Sequence, residues 1–89
     1  MDEFYCLTFD NIHNAIKAEK QVLQEFSVRL IPVPRKISAT CGLALRFDKS
    51  DWPNAVALIK NSIEYDQAYL VLKDSVEQVV LMTQDIDQK

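Results

Sequence analysis

A chain of 89 residues with 48% hydrophobic content suits one compact domain spanning 1–89. At that size only about 60–65% of the unfolded surface is buried, so one modest core is available. The net charge of −3, with acids interspersed among lysines, argues against a nucleic-acid protein, because phosphate neutralisation needs a clustered basic surface. No apolar run approaches the ~20 residues of a membrane span, and the opening "MDEFYCLTFD" is acidic and without a basic residue, unlike a targeting peptide.

"EFYCLTF" (3–9) is short, aromatic-rich and β-prone, and reads as a first strand. Asp10 can cap the helix that follows. In "IHNAIKAEKQVLQEF" (12–26), Ile12, Ala15, Ile16, Ala18, Val22, Leu23 and Phe26 fall near one face of an amphipathic helix. "SVRLIPV" (27–33) is a second strand, and Pro32 and Pro34 mark its end and an edge position. "GLALRFD" (42–48) alternates Leu43, Leu45 and Phe47 against Ala44, Arg46 and Asp48, the period of a half-buried strand.

"KSDWPNAVALIKNSI" (49–63) predicts a second helix capped by Ser50, with Pro53 tolerated in its first turn. Its apolar residues Trp52, Ala55, Val56, Ile59 and Ile63 recur at helical spacing. "YDQAYLVLK" (65–73) is a fourth strand. The tail, 74–89, has two readings. Ser75 with Gln78 can form a capping box opening a short helix, or Val79–Met82 can be an extra strand turning back on the fourth.

The order β-α-β-β-α-β predicts an α+β, ferredoxin-like sandwich: a four-stranded antiparallel sheet with both helices on one face. The other face is then solvated or meets a partner. Tyr5, Tyr69 and Val71 are candidates for an apolar strip there, and a homodimer through that open face is one expectation.

The segment that stands apart is "RLIPVPRKISATCGLALRF" (29–47). It holds two of the three prolines and the single glycine, Gly42, directly after Cys41. Average usage of ~7% would give about six glycines in this length, so a glycine kept at one place suggests a backbone need there, either a positive φ or close approach to an anion. A thiol acts as nucleophile or chalcogen carrier only as the thiolate, which nearby cations and oriented N–H groups favour. Arg35 and Arg46 flank Cys41 in sequence, Ser38 and Thr40 add hydroxyl donors, and the prolines stiffen the approach.

The same residues admit plainer roles. Cys41 shares parity with Leu43, Leu45 and Phe47, which suits a small core residue at a strand start. Arg35, Lys36 and Arg46 suit solvated charges. Gly42 suits an ordinary turn or bulge. Cys6 lies mid-strand and reads as core, His13 as surface, and Trp52 as packing. Two separated cysteines and one histidine make no metal signature, so no metal is expected. One glycine precludes the phosphate-binding loops, and neither a CxxC pair nor a cofactor motif is present.

The stretch "VRLIPVPRKISATCGLALRF" (28–47), preceded by a helix containing "HNAIKAEKQV" (13–22), resembles the family of small selenium/sulfur carrier-like proteins. The resemblance covers about 4–73, is strongest over 29–47, and leaves the tail without a role. Carried over position by position, it points to Arg35, Ser38, Cys41, Gly42 and Arg46, with Thr40 standing where the family more often has serine. It implies a thiol carrier in which Cys41 accepts sulfur or selenium as a persulfide or selenosulfide and hands it to a partner protein. Arg35 and Arg46 would then steady the negative chalcogen. Free thiols in a chain without an evident leader fit a reducing cytoplasm. The alternative is a non-catalytic ferredoxin-like interaction or small-anion-binding module in which Cys41 is structural. An autonomous enzyme fits least, since no base is placed beside the cysteine.

Overall fold

A computed structural model of the chain describes residues 3–81. Its elements are β1 (Phe4–Thr8), α1 (Ile12–Val22), β2 (Val28–Pro32), β3 (Leu43–Asp48), α2 (Trp52–Ser62), β4 (Ala68–Val71) and β5 (Val76–Val79). The strands form one sheet in the order β2-β3-β1-β4-β5, and every neighbouring pair is antiparallel.

Among the described residues the sheet therefore has five strands rather than the expected four. The fifth comes from the tail: Val71 faces Val76 and Ala68 faces Val79, across a tight turn in which the Leu72 N–H donates to the Ser75 carbonyl at 2.8 Å. Of the two readings of the tail the strand prevails, three residues earlier than expected. The outer edge of β4 offers a row of unpaired backbone groups, and pairing them satisfies more donors than one short helix would. Residues 82–89 lie outside the described residues.

Alternation along the strands sorts the apolar residues onto two faces. On one, Leu7, Leu45 and Phe47 meet Ala15, Ala18 and Val22 of α1 and Trp52, Ala55 and Ile59 of α2. Both helices thus share a face. Trp52 stacks on Tyr5 with ring centroids 4.4 Å apart and meets the edge of Phe47 at 5.3 Å, which confirms it as packing. At the open end of β1, Thr8 is fully buried with its hydroxyl accepting from the Gln67 N–H at 3.2 Å. That bond pins the chain entering β4 to β1.

The helices differ from expectation in detail. The N-cap of α1 is Asn11, whose side chain accepts from the Asn14 N–H, and the N-cap position of α2 is Asp51 rather than Ser50, without a side-chain capping bond. The buried stripe of α1 is only Ala15, Ala18 and Val22, leaving Ile12, Ile16 and Leu23 40–50% exposed. Alanines let the helix axis lie close to the sheet, and the rotation that seats them turns the larger side chains outward.

The second face is not bare. Cys6, Ala44 and Ile37 are buried together there, with Phe4, Ile31, Val33, Ala39, Tyr69, Val71 and Val76 packed around them. Ile37 and Ala39 belong to the connection between β2 and β3. The face expected to stand open is thus partly covered by the chain's own loop. Tyr5, a candidate for this strip, points to the helix side instead.

Candidate functional site

The connection that carries Cys41 leaves β2 at Pro32 and rejoins the sheet at Leu43. It is pinched at its base, where the Val33 N–H donates to the Gly42 carbonyl at 3.0 Å. Pro34 starts a turn closed by the Ile37 N–H on the Pro34 carbonyl, also 3.0 Å. Beyond the turn, side chains alternate: Ile37 is buried and Ala39 half-buried against the sheet, while Arg35, Lys36, Ser38 and Thr40 face solvent.

Lys36 reaches furthest. Its ammonium donates to the backbone carbonyl of Asp74 in the turn between β4 and β5. From the β2 edge that turn lies about three strand spacings away, roughly 14 Å. Residues 33–42 therefore form a strap laid across the second face, with an apolar anchor at Ile37 and a polar one at Lys36.

Cys41 sits where the strap turns back into the sheet. It is 8% exposed and belongs to the helix-side core, opposite the face that Ile37 and Ala39 cover. Its sulfur accepts a hydrogen bond from the Leu43 N–H at 3.5 Å, the one such bond to it among the described residues. An amide two residues on, aimed back at the sulfur, is the side-chain-to-backbone geometry of a local turn. It is also a donor available to a thiolate or to a sulfur carried on it.

The other thiol is unsuited to such chemistry. Cys6 is fully buried between Tyr5 and Leu7 in β1, and burial pushes its pKa up to about 12.

The remaining candidates do not converge on Cys41. Arg46 alternates with Leu45 and Phe47 and so emerges on the opposite face, three residues beyond Leu43, or about 10 Å along the strand. There its Nη1 pairs with Asp48 Oδ1 at 3.2 Å and its guanidinium lies 4.7 Å above the Phe4 ring. Arg35, Ser38 and Thr40 line the outer side of the strap. Gly42 is not required by the backbone. No glycine has positive φ, and a Cβ built at Gly42 would meet nothing within 4 Å. What the glycine leaves is bare main chain beside the cysteine.

One feature escaped the sequence reading. Arg29 stands directly opposite Arg46 in the β2–β3 register. Both line a cleft of about 200 Å³ with Ser27, Val28 and Asp48. Alternation along "SVRLIP" already puts Arg29 out of phase with Val28 and Leu30, but the pairing needs the hairpin register.

With this geometry in place, the comparison with known families gives one match. The model of the family described as "Putative Se/S carrier protein-like" covers residues 4–70, and the chain belongs to that family. Neither the curated proteins nor the solved structures gave a match. No helix among the described residues is long and apolar enough to cross a membrane.

Proposed function

We propose that this member of the selenium/sulfur carrier-like family is a thiol carrier of the cytoplasm, with Cys41 as the loading position. The observation that carries the reading is the Leu43 N–H directed at the Cys41 sulfur, in a strap whose flanks display Arg35, Ser38 and Thr40 to solvent. The element order supports treating the first four strands as a ferredoxin-like unit, to whose outer edge β5 is added.

Loading is an exchange at sulfur. The Cys41 thiolate attacks the terminal sulfur of a donor protein's persulfide. A new S–S bond forms at Cys41 while the donor's S–S bond breaks, and its electron pair leaves on the donor thiolate. No external oxidant or reductant is consumed. The acceptor protein repeats the same displacement on the loaded Cys41. Selenium follows the same path as a selenosulfide. Arg35 supplies positive charge to the incoming anionic chalcogen, Ser38 and Thr40 donate hydrogen bonds, and the Leu43 amide holds the sulfur attached to Cβ. Arg46 has no part in this step, being engaged with Asp48 on the other face.

Because Cys41 is nearly covered by the helix-side core, loading requires the chain at 41–42 to move away from that core. The exposed backbone at Gly42 gives the partner an unobstructed approach at that point. The partner therefore meets the strap end of the β2–β3 hairpin, since the middle of the second face is already occupied by Ile37.

The burial of Cys41 also favours a second reading, in which it is a packing residue of a binding module. One assay separates the two. The protein is incubated with a cysteine desulfurase and cysteine, then analysed by mass spectrometry without reductant. A carrier gains the mass of one sulfur atom on the peptide containing Cys41. Cys41→Ser abolishes the gain and Cys6→Ser keeps it. An unmodified Cys41 in a correctly folded protein means the packing role is the true one.

A further inference from the structure

Arg29 and Arg46 are direct cross-strand partners on the second face. Like charges placed directly opposite on neighbouring strands repel. The repulsion is only partly relieved here, because Asp48 supplies one carboxylate, bound to Nη1 of Arg46. The cleft therefore keeps a net positive charge on a chain whose overall charge is −3. We infer that this cleft between the start of β2 and the end of β3 is a binding site for a small tetrahedral oxyanion of the phosphate or sulfate type, held between Arg29 and Arg46 with the Ser27 hydroxyl as a further donor.

Three features support the assignment. Arg46 is held in advance: it is paired with Asp48, stacked on Phe4, and only 22% exposed along its side chain, so ordering it on binding costs little. Among the described residues one of its N–H groups is engaged by Asp48, out of the five donors a guanidinium carries. The cleft, about 200 Å³ and open to solvent, admits one tetrahedral ion with part of its hydration. A carboxylate is satisfied by a single guanidinium fork, whereas two forks approaching from adjacent strands match an ion with four oxygens. Asp48 is the opposing element, since its carboxylate repels the ion and competes for Arg46.

The site lies at the far end of the β2–β3 hairpin from Cys41. Its occupation does not depend on what the thiol does.

The test is a titration of the isotopically labelled protein with inorganic phosphate, sulfate and acetate at constant ionic strength in chloride, followed by amide NMR shifts. Phosphate and sulfate are expected to give saturable shifts confined to residues 27–29 and 46–48, and acetate none. Arg29→Gln, an exposed position, should weaken binding by roughly tenfold or more, the loss of one charged hydrogen-bonding partner. Asp48→Asn should tighten it. Unsaturable shifts, shifts spread over the whole molecule, or phosphate binding unchanged in Arg29→Gln would overturn the site. Saturable acetate binding as strong as that of phosphate would overturn the tetrahedral class.

Discussion

If the strap is held by its apolar anchor, Ile37→Ala should release it. Ile37 is 7% exposed and shares a buried cluster with only two other residues, Cys6 and Ala44. Truncation of a buried isoleucine costs about 2–5 kcal/mol, scaling with the cavity left behind. In so small a cluster the neighbours can relax inward, which puts the expected loss at about 2–3 kcal/mol. A domain of 89 residues has roughly 4–13 kcal/mol of stability in total, so the variant should still fold but denature much earlier. With a urea dependence of about 1 kcal/mol per molar, the midpoint should fall by roughly 2 M, read by Trp52 fluorescence. The same change raises the population of the open strap by roughly 30- to 150-fold. Alkylation by iodoacetamide, quantified peptide by peptide, should accelerate most at Cys6, which lies beneath the strap. Lys36→Met is the contrast. It removes an exposed hydrogen bond, and its effect should stay within about 0.5 kcal/mol. A stability loss of less than about 0.5 kcal/mol for Ile37→Ala, with labelling of Cys6 unchanged, would refute the strap.

The bare backbone at Gly42 predicts that Gly42→Ala leaves stability unchanged or raises it by about 0.4–1 kcal/mol, through loss of unfolded-state freedom. A urea denaturation showing a loss of more than about 1 kcal/mol would mean a close approach that the geometry lacks. Loading of Cys41 by a partner should nonetheless slow in that variant, since the added methyl stands beside the thiol. Cys6 makes an alkaline prediction. Its folded pKa of about 12 lies above the ordinary thiol value of 9.0, so the folded state holds the proton more tightly than the unfolded one. Its contribution is complete below pH 9 and is lost as pH rises from 9 towards 12, at up to about 1.4 kcal/mol per pH unit. Stability–pH profiles of the wild type and Cys6→Ala should diverge in that window, and parallel profiles would show that Cys6 is not held neutral by burial.

The elements were legible because their periods are clean. Leu43, Leu45 and Phe47 alternate, and the second helix repeats its apolar residues at turns of 3.6. The width of the buried face on α1 was not legible, because Ile12 and Ile16 satisfy the same periodicity as Ala15 and Ala18. Only packing decides which of two adjacent stripes meets the sheet, and here close approach through alanine prevails. The fifth strand was undecidable locally, since Ser75 and Gln78 suit a helix cap equally well and the β4 edge that captures Val76–Val79 is a tertiary fact. The strap escaped for a similar reason. A lone Ile37 in a polar connection carries no periodic signal, and its burial depends on a flat apolar patch built by β1, β3 and β4.

The misplacement of Arg46 is more instructive, because the sequence held the means to avoid it. Proximity in number, five residues after Cys41, suggested proximity in space. Yet the alternation that identified β3 also assigns Cys41 the parity of Leu43, Leu45 and Phe47, and Arg46 the parity of Ala44 and Asp48. Residues of opposite parity on one strand project from opposite faces, so a cysteine on the helix side and an arginine five places on cannot share a pocket unless the strand is broken between them. The correct partner for Arg46 was another residue of its own face on the neighbouring strand, and the hairpin register makes that residue Arg29. Arg46 thus belongs with the Arg29 side of the hairpin rather than with Cys41. The two ends of the hairpin differ in chemistry: at the strap end one amide, Leu43 N–H, is directed at the Cys41 sulfur, and at the far end Arg29 and Arg46 stand opposite each other. The Arg46–Asp48–Phe4 contacts hold one guanidinium of that pair in place, an order that the parity of β3 alone already implies for its face.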